Sequence, residues 1–241
     1  MSVLVAQGLR KRFGAVTAAA DINLAFEADT VVSLIGANGA GKTTFLNMVT
    51  GYLKPDSGQI LFDGRAIVGL NARQITRLGI ARSFQIPQLF QTLSVRDNLL
   101  LAESIAAAAE PAAAAEAVLD RFALRPYAAR PAALLPEGIR KLLDVAMALS
   151  SRSRLLLLDE PTSGVSADEK FAIMEVVMGA ARAAGVTVIF VEHDMDIVAR
   201  FAGRVVAFYD GGIIGDGPPE TVLRMADVRR YVIGEDLHAA A

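Results

Sequence analysis

Val31-Val32-Ser33-Leu34-Ile35-Gly36-Ala37-Asn38-Gly39-Ala40-Gly41-Lys42-Thr43-Thr44 decides how this chain is read. Val31 to Ile35 reads as a short β-branched strand running into a glycine turn, and an apolar helical pattern follows from Thr44 to Val49. Between them, Gly36 to Thr43 matches G-x-x-x-x-G-K-[ST] in the strand-loop-helix context that such a motif requires. Glycines let successive backbone N–H groups turn inward around anionic oxygens, and the positive end of the helix starting near Lys42 aims at the same charge. The nucleotide-binding candidates are therefore Gly36, Ala37, Asn38, Gly39, Ala40, Gly41, Lys42, Thr43 and Thr44. Lys42 is suited to the β- and γ-phosphates of ATP, and the Thr43 hydroxyl to Mg²⁺. A dinucleotide fingerprint does not fit, because no G-x-G-x-x-G can be laid on these glycines with a small third residue and an acidic residue at the next strand end.

A second run completes the phosphate chemistry. Leu155-Leu156-Leu157-Leu158-Asp159-Glu160 is an aliphatic strand ending in two carboxylates, the metal-holding half that such a site needs. Asp159 is the candidate Mg²⁺ ligand. Glu160, one residue beyond the strand, is the candidate general base for the attacking water. An Asp-Glu pair at a strand end is by itself commonly just solvated; the glycine loop and the Pro161-Thr162-Ser163 that follows give it a task. Three further residues carry weaker signals: His193 at the end of the aliphatic run Val186 to Val191, Gln85 after the short run ending in Ser83-Phe84, and Phe13 before the turn at Gly14.

Outward from these motifs, short β-branched runs alternate with helical patterns, which predicts an α/β fold with a mostly parallel sheet covered by helices. Val3 to Leu9 and Ile22 to Phe26 read as early strands, and Arg154 to Leu158 and Val186 to Val191 as central parallel strands buried on both faces. Ligand chemistry belongs at the C-terminal ends of such strands. Between about 86 and 136 the strands disappear, and the alanine-rich Ser104 to Val118 predicts a small inserted helical subdomain, broken into two helices at Pro111. After Gly211-Gly212 a short hairpin and short helices close the chain, within a C-terminal region of about 204–241. With 241 residues, 53% of them hydrophobic, the chain can bury the core of one domain with a small subdomain. It has no cysteine and only two histidines, which excludes disulfides, thiolate metal sites and histidine clusters. A net charge of −2 without a long basic run argues against nucleic acid as a partner. No signal peptide is read in the first 13 residues, and no run of 18 or more apolar residues suggests a membrane span.

In order and spacing, these motifs resemble the ATP-binding subunit of an ABC transporter along nearly the whole chain. The resemblance implies a P-loop NTPase fold with an N-terminal antiparallel β subdomain, and an ATPase whose hydrolysis powers transmembrane transport with ATP and Mg²⁺. It makes Phe13 the aromatic that stacks on adenine, Gly36 to Thr44 the Walker A motif, and Asp159 and Glu160 Walker B and the catalytic glutamate. Gln85 becomes the Q-loop glutamine that contacts metal and water, and His193 the switch histidine on the γ-phosphate. Ala81 to Gln85, Leu89-Phe90, Leu93 to Leu99 and Val191 to Met195 resemble importers of branched-chain and other hydrophobic amino acids; urea and amide importers share the pattern. Tyr231-Val232-Ile233-Gly234-Glu235 also resembles the ending of the lipopolysaccharide-export ATPase. The implied partners are a second ABC ATPase subunit in a homo- or heterodimer, two membrane permease subunits and, indirectly, a periplasmic substrate-binding protein. The implied location is the cytoplasmic face of the inner (plasma) membrane, as a peripheral subunit.

Two stretches depart from the family pattern. Where the signature Leu-Ser-Gly-Gly-Gln is expected, the chain has Leu135-Pro136-Glu137-Gly138-Ile139, and Ser166 stands where an aspartate usually follows Walker B. Two other functions compete with the transport reading. A mechanical ATPase acting on nucleic acid or ribosomes calls for basic faces or two ATPase domains in one chain. A P-loop kinase leaves Gln85 and Glu160 without a task and calls for an arginine-rich lid.

Overall fold

Residues 2–27 alternate apolar and polar side chains, the pattern of strands buried on one face, and they form β1 (Ser2–Phe13) and β2 (Val16–Glu27). Leu4, Ala6, Leu9, Ile22, Leu24 and Phe26 point inward. Both strands run past their expected bounds because their antiparallel pairing continues from Ser2↔Glu27 to Phe13↔Val16, where the side chains flanking the turn are exposed. A backbone ladder needs no apolar side chain to propagate. This computed structural model describes residues 2–150 and 153–234. They fall into two compact units, one of the residues up to Ile75 with those from Ile189 onward, the other Thr76–Val188.

In the first unit, β3 (Val31–Gly36) leads through the glycine loop into α1 (Lys42–Val49). β4 (Ser57–Phe62) and β5 (Arg65–Ala66) then complete an antiparallel sheet of order β2-β1-β4-β5. The Phe45 ring of α1 lies 6.0 Å from both Phe26 and Phe208, so three aromatic rings fix the base of that helix. Each such pair contributes about 0.5–1.5 kcal/mol beyond the area it buries.

The unit boundary falls in α2 (Ala72–Leu78). The second unit then contains β6 (Ile80–Ser83), α3 (Val95–Ile105), α4 (Pro111–Arg121), α5 (Glu137–Leu149), β7 (Leu155–Asp159) and α6 (Ala167–Ala183). β6 and β7 are parallel, in register from Ile80↔Leu155 to Ser83↔Leu158. The expected division into two helices at Pro111 holds, but the first of them begins well before the alanine-rich stretch. α3 starts at Val95, capped by Ser94 Oγ, which accepts from the Asp97 N–H at 3.1 Å, and it ends at Ile105. Pro111 opens α4, in the first turn, where its missing N–H removes no helical bond. Buried Asn98 ties α3 to the preceding loop: its Oδ1 accepts from Phe90 N–H at 2.9 Å and its Nδ2 donates to the Ser94 carbonyl at 2.9 Å.

β8 (Thr187–Val191), buried throughout, carries the chain from the second unit back into the first. There α7 (Met195–Phe201) leads to β9 (Arg204–Tyr209), which runs parallel to β3 and antiparallel to β10 (Gly212–Gly217). The closing hairpin therefore straddles Asp210-Gly211 instead of following Gly211-Gly212, since left-handed φ values of 46° and 74° at these two residues make the turn. α8 (Pro219–Val222), α9 (Ala226–Val228) and a π-helical turn at Arg229–Ile233 follow. Tyr231 stacks on Tyr209 at 4.5 Å; Glu235, the end of the C-terminal run quoted above, and the rest of 235–241 lie outside the described residues. The expected fold class holds, with an antiparallel N-terminal sheet and parallel strand pairs flanked by helices.

Candidate functional site

The first unit builds the phosphate loop from backbone constraints. The β3–β9 register sets Gly36 beside Phe208, and a Cβ on Gly36 would lie 2.5 Å from the Phe208 carbonyl oxygen. Gly41 caps α1 at φ 109°, and a Cβ there would lie 2.4 Å from the Ala18 carbonyl oxygen. Only glycine fits at either end. The Gly211 N–H donates to the Ala40 carbonyl at 3.1 Å and the Ala20 N–H to the Gly211 carbonyl at 2.8 Å, bracing the loop against the β9–β10 turn and, through it, against β2.

Lys42 opens α1 with its side chain turned into the loop, only 5% exposed. Its ammonium donates to the carbonyls of Gly36 at 2.6 Å and Ala37 at 3.1 Å, oxygens that stand in for phosphate oxygens. A buried cation inside a glycine loop at a helix N-terminus fits a nucleotide polyphosphate. Ala37, Asn38, Gly39 and Thr43 are exposed, and Thr44 is half-buried. Phe13 ends β1 with its ring 51% exposed and the Lys11 ammonium 5.5 Å from the centroid, an open aromatic face. His193 sits exposed between β8 and α7. Its N–H donates to the buried Glu192 carboxylate at 3.2 Å, and Asp194 beside it caps α7 by accepting from the Asp196 N–H at 3.1 Å.

The second unit brings Gln85, Asp159 and Glu160 together through strand register. Since Ser83 faces Leu158 across the parallel pair, the two residues that follow each strand position run side by side. Gln85 Nε2 donates to Glu160 Oε2 at 2.8 Å. Glu160 holds φ at 51°, a region that costs a non-glycine residue of order 1–3 kcal/mol and persists only where neighbours fix it. Its carbonyl accepts from the Lys141 ammonium at 2.8 Å and from the Ser163 N–H at 3.2 Å. Asp159 is buried in an ion pair with Arg82 at 2.7 Å, both side chains no more than 10% exposed. The Thr43 hydroxyl and the Asp159 carboxylate are hard oxygen donors of the kind Mg²⁺ takes.

Three participants escaped the sequence reading. Arg82 lies inside the quoted Ala81-Arg82-Ser83-Phe84-Gln85 run and gives Asp159 its charge partner. Lys141 and Asp144 lie three residues apart on α5, both buried. Asp144 accepts from Ser83 Oγ at 2.6 Å and from the Gln88 N–H at 2.8 Å. Burial pushes the Asp144 carboxyl above its usual range, against the hydrogen bonds and the Lys141 charge that pull it down. The available signal was two charges falling among the buried apolar positions of α5. At the start of α5, Pro136 is the N-cap with no side-chain cap bond. Glu137, in the first turn, lies 3.7 Å from Arg140.

The ABC transporter family matches residues 19–163. The chain is 33% identical to the high-affinity branched-chain amino acid transport ATP-binding protein LivG of Escherichia coli (strain K12), over 97% of this chain and 98% of that protein. It is 34% identical, over the same shares, to the protein of that description named BraF in Pseudomonas aeruginosa. Among solved structures, an ATP-binding cassette of an ABC transporter in its ADP conformation superposes with a TM-score of 0.86 at 28% identity, over 98% of this chain and all of the other. A nucleotide-free cassette gives 0.83 at 26% identity, over 95% of this chain and 97% of the other.

Proposed function

Since this chain belongs to the ABC transporter family as an ATP-binding subunit, we propose that its ATPase activity powers an importer of branched-chain amino acids. The observation that carries this reading is the end-to-end likeness to LivG and BraF, whose names state that cargo class.

Lys42 and the N–H groups of Gly39 to Thr44 bind and orient the phosphates, with Phe13 stacking on the adenine. Thr43, Gln85 and Asp159 would hold Mg²⁺, which would supply positive charge against that developing on the transferred phosphoryl group. Glu160 takes the proton of the attacking water, and the Gln85 amide on its carboxylate sets the direction in which that carboxylate points. His193 contacts the γ-phosphate. Among the described residues no helix is long and apolar enough to cross a membrane, so docking on permease chains is the route to a membrane role. The assembly we infer is a pair of ATPase subunits on two permease subunits at the cytoplasmic face, served by a periplasmic binding protein. Residues 86–136 form the helical subdomain that, with the Gln85 loop, passes the motion of closure to the permease.

The test is ATP turnover by the chain co-purified with its permease subunits in vesicles carrying the binding protein. Stimulation by leucine, isoleucine or valine and not by urea is expected; stimulation by urea alone, or turnover indifferent to amino acids, would contradict the cargo assignment.

A further inference from the structure

We propose that Lys141 and Asp144 are positioning residues that hold Glu160 and Gln85 in their working geometry, as two prongs of one helix. The hydrogen bonds of the second unit close a ring. Asp144 grips the strand end before Gln85 through Ser83 Oγ at 2.6 Å, and the loop after it through the Gln88 N–H at 2.8 Å. Gln85 reaches Glu160 at 2.8 Å. The Glu160 carbonyl, and with it Ser163 Oγ, returns to the Lys141 ammonium, each at 2.8 Å. Less than one helical turn separates Lys141 from Asp144, and that stretch of α5 closes the ring.

Each prong is placed where it is costly to keep unless it is used. A buried ammonium and a buried carboxylate on one helix face are desolvated, and the bonds they make must offset that loss. Lys141 donates to the carbonyl of a residue held at φ 51° and to the Ser163 hydroxyl three residues on, so it stabilises the conformation that aims the Glu160 side chain. Asp144 holds the Ser83 side chain before Gln85 and the Gln88 backbone after it. A shift of α5 along its axis therefore moves Gln85 and Glu160 together and keeps their mutual bond. α5 begins at Glu137, directly after Leu135-Pro136, so movement of that altered signature stretch reaches the reacting groups through these two side chains.

This inference rests on the proposed roles of Glu160 and Gln85, and its test separates the two. In the full chain co-purified with its permease subunits, Lys141→Met removes the donor and keeps the apolar stem. Asp144→Asn keeps the shape and loses the second acceptor oxygen. Each is expected to lower the single-turnover hydrolysis rate by about 10–10²-fold while affinity for a fluorescent ATP analogue stays within about twofold of wild type, the signature of lost alignment and not of lost binding. Lys141→Arg, which keeps a cationic donor, restores most of the rate. The double variant is no slower than the slower single one, because the ring fails as a unit. Lys141→Met turning over within about threefold of wild type, or rate and affinity falling in parallel, overturns the proposal. Glu160→Gln is measured beside them. If it is slow and Lys141→Met is not, only the clamp is wrong; if it turns over like wild type, the role of Glu160 falls and takes the clamp with it.

Discussion

Lys42→Ala is the substitution whose outcome the structure constrains most closely. The ammonium rests on two carbonyl oxygens, those of Gly36 at 2.6 Å and Ala37 at 3.1 Å, and in its proposed role it would exchange them for phosphate oxygens when nucleotide binds. A hydrogen bond to a charged group contributes about 1.5–3 kcal/mol, and one charged at both ends about twice a neutral one. Two phosphate contacts are thus worth roughly 3–6 kcal/mol, and surrender of the two carbonyl contacts returns part of that, leaving a net of about 3 kcal/mol. Loss of the side chain should then weaken ATP binding by about 10²-fold, at roughly tenfold per 1.4 kcal/mol. In the free protein the same change strands two carbonyl oxygens but also removes a buried charge, so stability should move by no more than about 1–2 kcal/mol. Isothermal titration with ATP, on protein whose fold is checked by circular dichroism, measures both. Wild-type affinity in the folded variant would refute the reasoning, and so would global unfolding with no state left to titrate.

The remaining expectations concern backbone, charge and symmetry. Gly41→Ala places a methyl 2.4 Å from the Ala18 carbonyl at φ 109° and should cost about 2–5 kcal/mol in urea denaturation. Gly39→Ala, with nothing within 4 Å of its Cβ, should cost only the left-handed penalty of about 1–2 kcal/mol, and equal losses at both would contradict the close-approach argument. Because burial raises the folded-state pKa of Asp144 above its ordinary value of 3.8, the folded state binds its proton more tightly than the unfolded one. That contribution to stability is therefore present below 3.8 and lost as pH rises through the raised value. The advantage of wild type over Asp144→Asn in urea melts should grow as pH falls through this window, and a pH-independent difference would contradict it. In the family pattern the signature serine of one subunit bonds the nucleotide of the other, a charge-assisted contact of about 1.5–3 kcal/mol that Pro136 cannot make. Turnover by the chain mixed with a partner ATPase of intact signature should exceed turnover by the chain alone, and Pro136→Ser with Glu137→Gly should narrow the gap; a lone chain as fast as the mixture would show that the altered signature is tolerated.

The strands at Val31, Leu155 and Thr187 were legible because continuous β-branched or aliphatic runs mark strands buried on both faces. The glycine loop was legible because its spacing follows from the backbone conformations it needs, now seen as close approaches at Gly36 and Gly41. The outer halves of β1 and β2 were not, since exposed ladder positions carry no hydropathy signal, and the start of α3 at Val95 went unread because alanine content drew attention away from the Ser94 cap. Within the site, the contact between Gln85 and Glu160 depends on the β6–β7 register, which no local pattern encodes. Arg82, Lys141 and Asp144 stayed hidden for the same reason. A charged side chain reads as a solvated one until its burial and its partners, 61 residues away for the Ser83–Asp144 pair, are known.

Single-turnover hydrolysis by Glu160→Gln bears on the proposed role of Glu160 as the base more than any other variant does. It should bind ATP as wild type does and hydrolyse it about 10²–10⁴-fold more slowly, a barrier increase of about 3–5 kcal/mol. A rate reduced by less than about tenfold, with binding intact, would mean that another group, His193 first, takes the proton.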